Sequence, residues 1–242
     1  MRIPRLFVNF PLTEGQSVQL LPDRAHYLVN VLRLRTNDKL IVFNGQGGEF
    51  QATLDQIGKK TSSIKIEHFV GIDRESPLYT ELAIGVSKGD RMDWIVQKST
   101  ELGVSSISPL ITERSELKLN AERWQKKLHH WREIIISACE QCGRSLLPEL
   151  KDPVSLQDYV LNCHTSFKVV LHPESNSTPM DIVENPKDIA LLIGPEGGFS
   201  DEEVAIAEKN NFNKWTLGSR VLRTETAPIV ALSLLQAKFG DF

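Results

Sequence analysis

The sequence predicts an α/β protein preceded by a small β-rich segment. Three observations predict it. After Leu78, short apolar runs alternate with stretches of helical period, the pattern of a parallel sheet covered by helices. Before about Ile72, runs of alternating polarity are punctuated by turn residues, the pattern of strands. Charge divides at the same place: the first 72 residues carry nine Lys/Arg against six Asp/Glu, whereas the whole 242-residue chain has a net charge of -3.

In the first segment, "RLFVNF", "KLIVFNG", "EFQATLDQI" and "SIKIEHFV" read as strands, with turns at Asn44-Gly45 and Gly47-Gly48. One helical stretch, "DRAHYLVNVLRLR", interrupts them, and "GIDRESP" (Gly71 to Pro77) reads as a linker. The second segment opens on a strand, "TELAIGVS". In "RMDWIVQKSTELGV", Met92, Ile95, Val96, Ser99 and Leu102 share one helix face and Gly103 stops the helix. "SSISPLIT" is a strand and residues 121 to 142 form a long helix. "FKVVLH" and "IALLIG" are continuous apolar runs suited to strands buried on both faces. "EEVAIAEKN" is a helix, "KWTLG" a strand and "APIVALSLLQAKF" a closing helix.

Composition excludes several classes. With 40% hydrophobic and 24% charged residues the chain can bury a core. Three cysteines suit a reducing cytoplasm better than a disulfide scaffold. No apolar run approaches the roughly 20 residues of a membrane span, and "MRIPRLF" lacks the apolar stretch of a signal peptide. The expectation is a soluble cytoplasmic protein.

Chemistry concentrates in two loops. "GPEGGFS" leaves a strand after Ile193; Gly194, Gly197 and Gly198 permit close backbone approach, and Pro195 stiffens the turn. The loop lacks both glycine fingerprints for phosphate. Ser200 followed by Glu203 is a capping box, so acidic groups already hold the next helix N-terminus. A ligand with neutral edges or positive charge suits the loop better than a phosphate. The second loop, "TLGSRVLRTETAP", also leaves a strand at a glycine and gathers Arg220, Arg223, Thr224, Glu225 and Thr226.

These loops, "LLIGPEGGFSDEE" and "LGSRVLRTETA", resemble the ribosomal RNA small-subunit methyltransferase E family of the SPOUT superfamily. So do "HYLVNVLRLR", "SKGDRMDWIVQKSTELGV", "PLITERS" and "ACEQCGRSLLPEL", and the resemblance is nearly full-length. It implies a PUA-like β-barrel for RNA over 1–72 and a knotted SPOUT α/β methyltransferase domain over 73–242. It implies S-adenosylmethionine as cofactor, the 16S ribosomal RNA or small ribosomal subunit as partner, methylation of uridine N3 in the decoding region, and a homodimer. By resemblance the cofactor lies against Leu171, His172, Pro173, Ile193, Gly194, Pro195, Glu196, Gly197, Gly198 and Phe199. The second loop contributes Thr216, Leu217, Gly218, Ser219, Val221 and Leu222. The chain departs from the family at Ser219, where proline is common. A ribose-methylating relative and a noncatalytic RNA-binding protein are the alternative readings.

Neutral uridine N3 carries a proton and is a poor nucleophile, so the site must let the proton leave and stabilise charge on O2 and O4. Arg223 is the natural stabiliser and Arg220 a stabiliser or phosphate contact. Glu225 either accepts the proton or orients Arg223; a carboxylate beside two arginines is a weak base, which favours orientation. His26, Arg33 and Arg35 in the basic segment suit RNA phosphates. Arg91 and Arg114 are open between site and ordinary ion pairs. Cys139-x-x-Cys142 lies on the apolar stripe of its helix with no second ligand pair, so no metal is expected.

Overall fold

The computed structural model describes residues 3–58, 61–115, 119–183 and 185–242. The chain forms two compact units: Met1–Glu75 with Cys139–Leu147, and Ser76–Ala138 with Pro148–Phe242.

The first unit is built on a five-stranded sheet. Its strands are β1 (Arg5–Phe7), β2 (Ser17–Gln19), β3 (Lys39–Phe43), β4 (Glu49–Ile57) and β5 (Ser62–Val70). Their order is β1-β3-β4-β5-β2, with β1 parallel to β3 and the other pairs antiparallel. Alternation decides the faces: Leu40, Val42, Ala52, Leu54, Ile64 and Ile66 point into one core with Leu6, Val18 and Leu28. Two register shifts between β4 and β5, at Gln51/Ala52 and Leu54/Gln56, sharpen the twist of the long hairpin. At the expected turn, Gly48 has φ 66°, and a Cβ there would lie 2.3 Å from the Phe69 ring. Both the left-handed φ and the ring above it favour glycine there.

Two stretches carry detail that their pattern does not show. "DRAHYLVNVLRLR" is helical over Pro22–Val31: α1 (Pro22–His26) passes into a π-helical turn, Tyr27–Val31, closed by Leu32 N–H to Tyr27 O at 2.9 Å. The wider turn keeps Leu28 in the core, and Arg33 at φ 57° ends the helical path. "GIDRESP" contains the boundary between the two units, at Glu75/Ser76, and its charged residues are held. Arg74 donates to Glu49 Oε2 (3.0 Å) and Gly143 O (3.1 Å), and Glu75 accepts from Arg144 Nε at 2.9 Å. Arg5 also pairs with Glu49 and donates to Arg144 O (3.0 Å) and Ser145 Oγ (3.1 Å). These charges, with a β-bridge between Gln46 and Leu146, tie residues 139–147 to the first unit. Burial alone would raise the Glu49 carboxyl, but the hydrogen bonds and charges of Arg74 and Arg5 hold it below the usual range.

The second unit is an all-parallel sheet. It comprises β6 (Tyr79–Gly85), β7 (Ser106–Ile111), β8 (Glu149–Leu150), β9 (Val154–Ser155), β10 (Phe167–Leu171), β11 (Asp188–Ile193) and β12 (Asn213–Trp215). The order is β12-β10-β11-β6-β7-β8, with β9 also on β7. The helices are α2 (Arg91–Glu101), α3 (Ala121–Cys142), α4 (Leu156–Asn162), α5 (Asp201–Lys209) and α6 (Thr226–Phe239). Leu82, Ala83 and Ile84 of β6 and Ile189 to Ile193 of β11 are buried, as continuous apolar strands in a covered sheet must be. Gly103 at φ 80° ends α2 as expected. The short β8 and β9, and α4 with its Ser155 cap, were not anticipated; two-residue strands carry no periodicity.

Register places the site. Leu171 of β10 pairs with Trp215 of β12, Val170 with Leu192, and Ile193 with Ile84. The loops after β10, β11 and β12 therefore leave the same carboxyl edge, where open α/β sheets bind ligands.

Candidate active site

Those three loops enclose a cavity of about 660 Å³. Its wall includes residues 171–174, 193–199, 215–217 and 220–225, together with Arg91 and Arg114. Of the expected cofactor residues, all but Gly218 and Ser219 line it.

The wall is mostly backbone, held in place by specific contacts. Gly85 ends β6 under the loop after β11: a Cβ there would lie 2.4 Å from Pro195 Cδ. A Cβ on Gly194 would lie 3.0 Å from Gly198 C, so the turn closes tightly over Gly194, while Gly198 takes the left-handed φ of 68° that favours glycine. Thr224 Oγ1 donates to Gly194 O at 2.7 Å and joins the two loops. Thr216 N–H donates to Ser177 O at 2.8 Å, so the segment after β12 touches the loops after both β10 and β11.

The capping box is present: Glu203 N–H donates to Ser200 Oγ, and Ser200 N–H to Glu203 Oε2 at 2.9 Å. Glu203 Oε1 further accepts from Glu113 N–H at 2.9 Å. The α5 N-terminus is thus occupied by the protein's own carboxylate, which opposes phosphate there. Glu174, Glu196, Asp201 and Glu225 put carboxylates on the wall, beside Arg91, Arg114, Arg220 and Arg223. Backbone donors and acceptors with carboxylates fit an adenosine edge and a sulfonium, and so fit S-adenosylmethionine.

Two arginines missing from the expected site bind its loops. Arg91 donates to Glu196 Oε1 at 2.5 Å, and its Nε lies 3.6 Å from Glu225 Oε2. Lys88 N–H also reaches Glu196 Oε1, at 3.2 Å. Burial alone would raise the Glu196 carboxyl; backbone N–H groups and Arg91 outweigh it and hold it below the usual range. Arg114 donates to Gly197 O at 3.0 Å. The signal was their place beside "SKGDRMDW" and "PLITERS".

Arg223 is 81% exposed at its side chain and lies 3.8 Å from Glu225 Oε1, a loose contact. The two arginines near Glu225 are Arg91 and Arg223, not Arg220 and Arg223. Arg220 is exposed on the wall. His26, Arg33 and Arg35 lie in the first unit and are all exposed; Arg35 N–H donates to Asp38 Oδ2 at 2.6 Å. Cys139 is buried, and burial pushes its thiol up to about 12. Among the described residues no cluster could hold a metal ion, and no helix is long and apolar enough to cross a membrane.

A parallel sheet whose loops build a backbone-lined pocket places the protein in a class that comparison with known proteins defines. Residues 74–236 match the RNA methyltransferase domain family, and residues 20–67 the RNA methyltransferase PUA domain. The ribosomal RNA small subunit methyltransferase E of Buchnera aphidicola (strain APS) is 37% identical, over 100% of this chain and 96% of its own. That of Bacillus subtilis is 33% identical over 93% and 91%. The chain therefore belongs to the ribosomal RNA small subunit methyltransferase E family. Among solved structures, a Legionella pneumophila protein in complex with SAM aligns with a TM-score of 0.97 at 45% identity, over 100% of both chains. The Neisseria gonorrhoeae methyltransferase E bound to S-adenosyl methionine aligns with a TM-score of 0.93 at 36% identity, also over 100% of both.

Proposed function

We propose that the protein methylates N3 of a uridine in the decoding region of 16S ribosomal RNA, using S-adenosylmethionine, as a cytoplasmic homodimer. Residues 1–72 hold RNA through exposed Arg33, Arg35 and His26, and residues 73–242 carry the reaction. The observation that carries this reading is the backbone-lined pocket between residues 193–199 and 216–225, whose adjoining helix N-terminus is capped by Glu203 rather than open to a phosphate. The match to the PUA domain supports the RNA role. The bonds from Thr216 to Ser177 and from Thr224 to Gly194, which hold three loops together, are compatible with the knotted thread of this reading.

Bound S-adenosylmethionine supplies an electrophilic methyl group. The chain's own residues do the rest. Arg223, exposed in the free protein, stabilises negative charge developing on the uracil oxygens once bound RNA covers it. Arg220 holds an RNA phosphate. Glu225, with one oxygen near Arg91 and one near Arg223, either holds Arg223 or takes the N3 proton.

Reverse transcription across 16S RNA from a strain lacking the gene tests this. N3-methyluridine cannot pair, so the wild-type RNA should stop the enzyme at one decoding-region uridine and the deletion strain should read through. An identical profile in both strains would refute the assignment.

A further inference from the structure

A second cavity, of about 650 Å³, lies beside the first; Lys88, Asp90, Arg91, Trp94 and Glu225 line it. It shares Arg91 and Glu225 with the cofactor pocket. Three features of its wall go together. Trp94 is 56% exposed, although its neighbours Met92, Ile95 and Val96 on α2 are fully buried. A lone exposed aromatic is ordinary, but this one borders a cavity that adjoins the reaction site. Glu225 Oε2 accepts no hydrogen bond within the protein; the Arg91 guanidinium lies beside it at 3.6 Å, beyond hydrogen-bonding distance, so its acceptor capacity is left for a ligand N–H once the carboxylate turns to the cavity. Lys88 and Arg91 place cationic groups on the same wall, beside the carboxylates of Asp90 and Glu225.

We propose that this cavity receives the target base, with Trp94 as its stacking platform and Glu225 Oε2 as acceptor of its N–H. The proposal rests on the uridine reading above. An enzyme acting on a ring nitrogen used in pairing must take the base out of its stack, and an aromatic face stabilises the displaced base. Uracil presents one N–H flanked by two carbonyl oxygens. A carboxylate flanked by cationic side chains complements that order. Cytosine offers a lone pair at N3 and would face Glu225 without a proton between them, so the same wall selects uracil.

Single-turnover methylation of small subunits lacking the modification tests this, with Trp94→Ala and Trp94→Phe and with calorimetry of S-adenosylmethionine binding. Trp94→Ala should lower the rate at saturating subunits on the order of tenfold or more, the scale of one lost base–aromatic stack. Trp94→Phe should restore most of it, and cofactor affinity should stay within about twofold for both. A wild-type rate in Trp94→Ala overturns the proposal, as does equal impairment of Ala and Phe, or a cofactor affinity loss as large as the rate loss. Failure of the wild-type protein to methylate the subunit is seen separately in the control; it removes the functional reading and this inference with it.

Discussion

The Thr224 hydroxyl donates to the Gly194 carbonyl at 2.7 Å, and this one side-chain bond joins the two loops that form most of the cofactor pocket. Thr224 is buried, so Thr224→Val keeps the shape, removes the donor and leaves the carbonyl short of a partner. Such a loss costs roughly 1–3 kcal/mol. We expect a loss of S-adenosylmethionine affinity of about tenfold, with the melting temperature lowered by only a few degrees. Calorimetry showing unchanged affinity would remove Thr224 from the loop clasp.

Gly197 illustrates how the structure alters the reason for an expected effect. From sequence, a side chain at Gly197 meets the ligand. In the structure a Cβ there lies 3.1 Å from Arg114 Cβ, and Arg114 Nη1 holds Gly197 O at 3.0 Å. Gly197→Val should therefore displace Arg114 and weaken cofactor binding with the fold retained. Arg114→Ala should give a smaller loss in the same direction. If Gly197→Val binds as tightly as wild type by calorimetry, the loop does not depend on this contact.

Arg223 and Glu225 are separable by kinetics. If Arg223 stabilises charge on the uracil, Arg223→Ala should lower the single-turnover rate on the order of 10²–10³ with cofactor affinity preserved. Lys should rescue only in part, because an ammonium lacks the guanidinium fork. The 3.8 Å separation from Glu225 makes a purely structural role for Arg223 a weak alternative. That alternative requires Arg223→Ala to keep a near-wild-type rate at saturation.

The Arg91–Glu196 clasp carries a pH signature. The Glu196 carboxyl is held low in the folded protein, so its contribution is present above the unfolded value and lost as pH falls through the folded one. The pair should stay intact from pH 8 down to pH 5 and open only below the ordinary glutamate value of about 4.3. Carbon-13 NMR titration of the Glu196 carboxyl, assigned with Glu196→Gln, should give a midpoint below that value. A midpoint above 5 would contradict the clasp.

In the first unit, Glu49 lies between Arg5 and Arg74, with its side chain 5% exposed. Removing one member of a buried charge group leaves the others uncompensated, at about 3–5 kcal/mol. Glu49→Ala should lower the urea midpoint accordingly. A change near zero would mean that water enters the group freely.

The second unit was legible because its strands are uninterrupted apolar runs and its helices keep one buried face; Met92, Ile95, Val96 and Ser99 are all buried as the spacing requires. The loops were legible because glycine, proline and a capping box mark them locally. The remainder depends on distant pairs. Arg91 meets Glu196 across 105 residues, and Gly85 matters only because Pro195 passes over it. Residues 139–147 join the first unit through buried arginines and glutamates, where hydrophobic patterning gives no guidance. The π-helical turn at Tyr27–Val31 differs from an α-helix by one hydrogen-bond step, which side-chain spacing over five residues does not resolve.

Transfer of a labelled methyl group to purified small ribosomal subunits lacking the modification, followed by nucleoside mass spectrometry of the 16S RNA, tests the proposed function most directly. The expected product is N3-methyluridine at one decoding-region position, absent when Arg223→Ala replaces the wild-type protein. Label recovered as a 2′-O-methylated nucleoside, or no transfer to the RNA at all, would contradict it.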